Sequence, residues 1–265
     1  MPGSAHLNRR TLLRHLTAGG VAACPICSAI ARAGEPARDN ASPPWSYHGD
    51  NGPEHWGELT PEFRSCSLGL EQTPIDLDGA IRAEMGQLDI SYSKVPVRVV
   101  NDGNTIQASC GPGCHTNIAG TRYDLVQFHF HHPSEHLVSG KAFQMECHFI
   151  HKSATGTVAA VAVFVTPGSA NPALTPLWDV MPIKTGGEAA PAGMFDPAAL
   201  LPEARSYFRY AGSLTSPPCS EGVTWIVFAS PIEASTAQIA QFAALFMNNA
   251  RPVQGRNRRF LLESF

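Results

Sequence analysis

Short apolar runs, alternating or continuous, punctuate the chain. Gln87–Tyr92, Val95–Val100, Leu125–His131, Met145–His151, Val158–Val165 and Val223–Ala229 are rich in β-branched or aromatic residues and bounded by Gly, Pro, Asn or Ser, which predicts strands. Asp102-Gly103 falls between Val97–Val100 and Thr105–Ala108 and predicts a hairpin turn. Only Ser235–Phe246 has a helical period: Ser235 and Gln238 form a capping box, and Ile239, Phe242 and Phe246 recur on one face. After Trp45 there is no repeat, low-complexity block or second linker. The pattern predicts a mainly β (α+β) single domain over residues 45–265 with peripheral helices.

Composition narrows this further. The chain has 265 residues, 43% hydrophobic and 15% charged, enough for a sizeable core and too apolar for intrinsic disorder. A net charge of −3 without a Lys/Arg-rich run argues against a nucleic-acid partner. No apolar stretch approaches the roughly 18–20 residues of a membrane span.

The first 33 residues read as an export signal. Arg9, Arg10 and Arg14 precede a modest apolar middle, and Ala31-Arg32-Ala33 offers small residues at a cleavage site. Asn8-Arg9-Arg10-Thr11-Leu12-Leu13 favours the twin-arginine route over general secretion, and the expected location is periplasmic or secreted. Val21-Ala22-Ala23-Cys24 offers a lipid-anchored alternative, ranked second because the preceding apolar segment is weak. Cys24-Pro25-Ile26-Cys27 lacks the strand–helix context of a redox pair. Residues 34–44 are polar and Pro-rich, a flexible lead-in. Without the leader, five of the seven cysteines remain (Cys66, Cys110, Cys114, Cys147 and Cys219). An odd count leaves at least one thiol free or paired between chains, so a homodimer stays open.

The histidines depart from a random scatter. Residues two apart on a strand share a face, so Gln127, His129 and His131 point one way and Phe128 and Phe130 the other. In Met145–His151, Glu146, His148 and Ile150 likewise share a face. The spacing allows an antiparallel return that brings three imidazoles together. Three neutral imidazoles with a fourth position open suit a catalytic zinc ion, with Gln127 and Glu146 in phase to hold the outer ring nitrogens. His132, His136 and His151 are out of that set: His136 reads as structural, the other two as surface groups. Cys147 reads as a small buried hydrophobe.

Gln127–His131, Ser134-Glu135-His136, Glu146-Cys147-His148 and Ser213-Leu214-Thr215-Ser216-Pro217-Pro218 resemble the motifs of an α-class carbonic anhydrase of the exported bacterial type. The likeness runs from Trp45, Tyr47 and Gly52–Trp56 through Gln72–Asp76 and Val223–Trp225 to Asn249–Gln254. It implies a large, mostly antiparallel twisted sheet with the metal at the base of a conical cleft. It also implies a zinc lyase in which zinc-bound hydroxide attacks CO2 to give bicarbonate and a proton, with weak esterase activity beside it. His129, His131 and His148 would be the zinc ligands. Thr215 would accept a hydrogen bond from the hydroxide and donate to Glu135, and Ile150, Ala160, Leu214, Val223 and Trp225 would line the CO2 pocket.

The resemblance also has departures. Ala160 stands where the family leads one to expect valine, implying a roomier pocket that favours larger esters. Asn104 stands where fast members carry a proton-shuttling His, and an amide does not accept a proton at neutral pH; turnover limited by proton transfer is therefore expected. His48 and His115 are candidate stand-ins. Cys66 and Cys219 match positions bridged in exported relatives, and Cys110 and Cys114 form a candidate short-loop disulfide. The main alternative is a non-catalytic binding module of the same fold, disfavoured because the three His, Glu135 and Thr215 are all retained. A metalloprotease lacks H-E-x-x-H here, and a serine hydrolase lacks G-x-S-x-G.

Overall fold

A computed structural model of the protein describes residues 45–265. The leader, the Cys24 alternative and the Cys24–Cys27 motif lie outside the described residues. In chain order the strands are β1 (Ile81–Arg82), β2 (Asp89–Ser91), β3 (Val97–Asn101), β4 (Ile106–Cys110) and β5 (His115–Ile118). Then come β6 (Thr121–His131), β7 (Leu137–Val138), β8 (Lys141–Ala142), β9 (Met145–Ser153) and β10 (Val158–Pro167). The last are β11 (Glu188–Ala189), β12 (Tyr207–Ser213), β13 (Glu221–Phe228), β14 (Ile232–Ala234) and β15 (Leu262–Glu263). Thirteen of them form one sheet in the order β1-β15-β12-β13-β10-β9-β6-β4-β3-β11, with β14, β2 and β5 attached to its side; β7 and β8 form a separate hairpin. Pairing is antiparallel except for β1 with β15 and β10 with both β13 and β14. The sheet is thus mixed and mostly antiparallel, as expected.

The central strands are covered on both faces. β10 reads as a nearly continuous apolar run because it is buried on both sides. One apolar layer holds Phe128, Phe130, Cys147, Phe149, Val161 and Phe228; the other holds Ala160, Ala162, Phe164, Val223, Trp225 and Val227. A bulge in β6 sets which residues enter which layer. Against β9, Leu125 faces His151 and Gln127 faces Ile150, so two residues of β6 oppose one of β9. The extra residue reverses the alternation: Tyr123 and Leu125 point into the first layer before it, Phe128 and Phe130 after it. That reversal turns His129 and His131 to the opposite face.

Several expectations are met closely. Asp102-Gly103 lies in the β3–β4 turn, and Ser235 and Gln238 do form a reciprocal capping box. The helix ends at Ala243, three residues short of the expected boundary, with Phe246 held in a following turn by its N–H to Phe242 O. Strands β5 and β12 and the short helices Trp56–Leu59, Ser65–Leu68 and Thr175–Trp178 were not anticipated. Cys66 and Cys219 are disulfide-bonded across 153 positions of sequence. Among the described residues Cys110 and Cys114 have no disulfide partner, so the candidate short-loop disulfide is not formed; Cys114 Sγ instead donates to Ser93 O at 3.2 Å.

His151 corrects a second expectation, because it is fully buried rather than a surface group. Alternation along β9 places it with Cys147 and Phe149 on the first apolar layer. Its Nδ1 donates to Phe149 O at 3.0 Å, and Nε2 receives the Tyr92 hydroxyl at 2.6 Å. Burial, partly offset by backbone hydrogen bonds and Asp124, drops its pKa from 6.5 to about 4. The unfolded chain therefore binds the extra proton below pH 6.5 while the folded chain resists it to about pH 4. Stability falls through that window, by about 3 kcal/mol at its lower end. In denaturant titrations at pH 7 and pH 4.5, a His151→Gln variant should lose most of this slope. An unchanged slope would contradict the assignment.

Candidate metal centre

Cross-strand register builds the site. His129 on β6 lies directly opposite His148 on β9, and His131 lies opposite Glu146. Directly opposed residues share a face, so the three imidazoles meet on rigid central strands. Their ring centroids are 5.0, 5.3 and 4.6 Å apart, and they bring one ring nitrogen each within 4.8 Å of the others. His131 and His148 are buried, and His129 is half-buried at the open side.

The outer nitrogens are all engaged. His129 Nδ1 donates to Gln127 Oε1 at 2.9 Å, His131 Nδ1 to Asn249 O at 2.7 Å, and His148 Nε2 to Glu146 Oε1 at 2.8 Å. Each acceptor lacks a proton, so each ring must carry its N–H there and present a lone pair on the other nitrogen. His131 Nε2 is buried without a hydrogen-bond partner among the described residues. Three converging lone pairs cannot satisfy one another; they fit a cation that accepts nitrogen ligands. Burial, then repulsion from His131 and His148, holds His129 well below its ordinary pKa and keeps its lone pair available. Burial acts on His148 in the same direction but is outweighed by Glu146, which draws it up.

Glu146 is itself held as an anion. Burial opposes its charge, but His136 and His148 outweigh that and push the carboxyl well below the usual range. Oε1 accepts from His136 Nδ1 at 2.6 Å as well as from His148, and Oε2 accepts from the N–H groups of Glu135 and His136 at 2.9 Å. His136 Nε2 meets Tyr210 Oη at 2.7 Å. His136, Glu146 and His148 also lie close enough to suit a metal, but the hydrogen bonds among them spend the donor atoms. They support the centre, and His136 is structural as expected.

Glu135 lies beside the imidazoles. Its Oε1 accepts from Arg251 N at 2.8 Å. Its Oε2 has no hydrogen-bond partner among the described residues and lies 3.5 Å from His131 Nε2 and 3.8 Å from His148 Nδ1. The expected bond from the Thr215 hydroxyl to Glu135 is therefore not made in this structure, because that oxygen is turned toward the rings. Thr215 is buried in the loop joining β12 and β13. That loop is pinned at both ends: Thr73 N donates to Ser213 Oγ at 3.0 Å, Gln72 Nε2 donates to Cys219 O at 3.1 Å, and Cys219 is bridged to Cys66.

The expected pocket residues do come together. Ile150, Ala160 and Trp225 are successive cross-strand partners on β9, β10 and β13, which fixes the register of Ala160. Val223 is buried in the same apolar cluster, with Ile150 and Leu214 packed on it, and the Trp225 ring lies 4.9 Å from that of His148. A cavity of about 820 Å³ elsewhere, lined by Leu70, Arg209, Phe260 and Leu262 among others, includes none of the three imidazoles. Asn104 sits on the β3–β4 turn. His48 is exposed at the rim of a smaller cavity beside Tyr47, and His115 on β5 pairs with Asp124.

Two contributors were missed from sequence. Asn249 accepts from His131 through its backbone oxygen, and its side chain receives His132 N at 2.7 Å and donates to Asn104 O at 2.9 Å and Phe130 O at 3.0 Å. Arg251 is buried; its guanidinium binds Gln72 Oε1, Thr73 O and Cys66 O at 2.8–2.9 Å. Both residues lie in the Asn249–Gln254 motif, but nothing in residue type marks a main-chain carbonyl as an acceptor.

Fold and centre together define a sheet-borne three-imidazole site with an apolar wall. The family model for eukaryotic-type carbonic anhydrase matches residues 51–265. A carbonic anhydrase of Nostoc is 43% identical, covering 83% of this chain and 86% of that protein. One from Klebsiella pneumoniae is 44% identical, covering 83% and 90%. The solved α-carbonic anhydrase of Thermovibrio ammonificans, in complex with the inhibitor sulfanilamide, superposes with a TM-score of 0.81 at 43% identity, covering 82% of this chain and 98% of that one. The chain belongs to the α-class carbonic anhydrase family.

Proposed function

We propose that the protein is a zinc enzyme hydrating CO2 reversibly to bicarbonate and a proton, with His129, His131 and His148 holding the ion. The observation that carries this reading is the set of three ring nitrogens freed by Gln127, Asn249 and Glu146. When bound, zinc supplies Lewis acidity that makes a nucleophile available from water near neutral pH. Trp225, Val223, Leu214 and Ile150 give apolar CO2 a dry place beside the rings. Thr215 positions the attacking oxygen through its hydroxyl, and its backbone N–H helps hold bicarbonate. Glu135, fixed by Arg251 N, accepts a hydrogen bond from the Thr215 hydroxyl once its free oxygen turns from the rings.

A leader that exports the chain to the periplasm or beyond fits the disulfide. Stopped-flow CO2 hydration by the zinc-loaded protein over a range of buffer concentrations tests the reading. With Asn104 on the β3–β4 turn, the rate should climb with added imidazole, and a fast rate independent of buffer would contradict proton transfer as the limiting step. A folded, zinc-loaded sample without activity would favour the binding module. Ala160 is the cross-strand partner of both Ile150 and Trp225 and is smaller than the valine expected there, so Ala160→Val should lower ester hydrolysis more than CO2 hydration. Equal rates on both substrates before and after would remove that role.

A further inference from the structure

Hydration of CO2 releases one proton per turnover, and that proton must leave the three-imidazole centre. Asn104 is not a base, yet the same turn carries a titratable side chain, Asp102. The turn is tied directly to the centre. Asn249, which receives His131 Nδ1, donates through its amide to Asn104 O, and Thr105 Oγ1 donates to Phe130 O at 2.6 Å, one residue from both His129 and His131.

Asp102 is held within this turn. Its Oδ1 accepts from Asn104 N and Thr105 N, each at 2.8 Å, while no hydrogen bond to Oδ2 is formed among the described residues. The residue reaches solvent, yet burial on its inner side raises the carboxyl above its ordinary pKa, against the pull of three backbone N–H groups. Tyr47 lines a cavity with Asn248 and Ala250, the two neighbours of Asn249, and its phenol is raised by burial, with Glu135 and Asp102 adding to the effect and Arg251 opposing it. Asn249 touches both His131 and the turn that carries Asp102, so Tyr47 stands beside the segment joining the centre to that turn.

We propose that Asp102 is the proton acceptor of this chain. Its carboxylate takes the proton released at the centre, by way of water beside Tyr47, and becomes the neutral acid. It then gives that proton to a buffer base outside and returns to the carboxylate. This inference rests on the proposed CO2 hydration. A carboxylate is a weaker base than imidazole, so turnover should be slow and still be accelerated by added imidazole.

Asp102→Asn tests it, because the amide oxygen can still accept from Asn104 N and Thr105 N. In dilute buffer of low basicity, kcat should fall at least about fivefold, a small part of the ~10²–10⁴-fold that positioned acid–base groups contribute. kcat/KM should stay at the wild-type value, and imidazole should bring both proteins to the same kcat. A second readout needs no turnover: in ¹³C NMR titrations, the Tyr47 ring resonance should follow Asp102 ionisation and lose that step in D102N. Unchanged kcat in D102N, a Tyr47 step that survives the substitution, or loss of kcat in His48→Asn instead would overturn the assignment while leaving the enzyme reading intact. A wild-type protein without CO2 hydration would overturn both.

Discussion

Replacing His148 with alanine should lower CO2 hydration by at least about a thousandfold and reduce bound zinc from one per chain to nearly none. A thousandfold corresponds to about 4 kcal/mol of barrier, the scale of charge stabilisation that a Lewis acid supplies. His148 is the most exacting of the three positions. Its imidazole is buried between Glu146, which fixes its N–H, and Trp225, whose ring lies 4.9 Å away. Alanine there leaves two nitrogen ligands and frees part of a buried carboxylate. Because that burial carries a folding cost as well, His129→Ala is the companion variant: His129 is half-buried, and its loss removes a ligand with less disruption. Zinc content by plasma emission and rates by stopped flow, on samples with native circular dichroism, check the result. Either variant retaining zinc at wild-type affinity would contradict the ligand set.

Removing the Cys66–Cys219 bond should destabilise the fold by up to about 5 kcal/mol. The bridge closes a loop of 153 positions, and the chain-entropy relation gives about that value for so long a loop. For a domain of this size the melting temperature should drop by about 10–20 °C. Activity at 25 °C should also fall, because Cys219 terminates the loop carrying Thr215 and its carbonyl receives Gln72 Nε2. Arg251 adds to the effect: it binds Cys66 O on one side and Glu135 Oε1 through its own N–H on the other. Calorimetry of the Cys66→Ser/Cys219→Ser protein measures the first effect and kcat/KM the second. An unchanged melting temperature would contradict the structural role of the bridge.

How much of this was legible depends on where each function resides. The metal triplet was readable because strand alternation alone separates His129 and His131 from Phe128 and Phe130, and Gln127 and Glu146 fell in phase with them. The same alternation extended one step would have put His151 with Phe149 in the core; its neighbour Lys152 obscured that. β12 was hidden because Tyr207, Phe208 and Tyr210 are all buried, so the run shows no period, and β5 because His115, Thr116 and Asn117 are polar. Asn249 could not be read at all, since its contribution is a main-chain oxygen. The Thr215–Glu135 relation was a matter of side-chain rotation, which residue spacing does not determine. Bulges are equally silent: Val126 is an ordinary β-former, yet it reverses the faces of β6.

The most direct test of the central claim is removal and return of the metal. Chelated protein should stay folded, lose CO2 hydration, and regain full activity at one equivalent of zinc per chain. Hydration that persists without zinc, or that does not return at one equivalent, would contradict it.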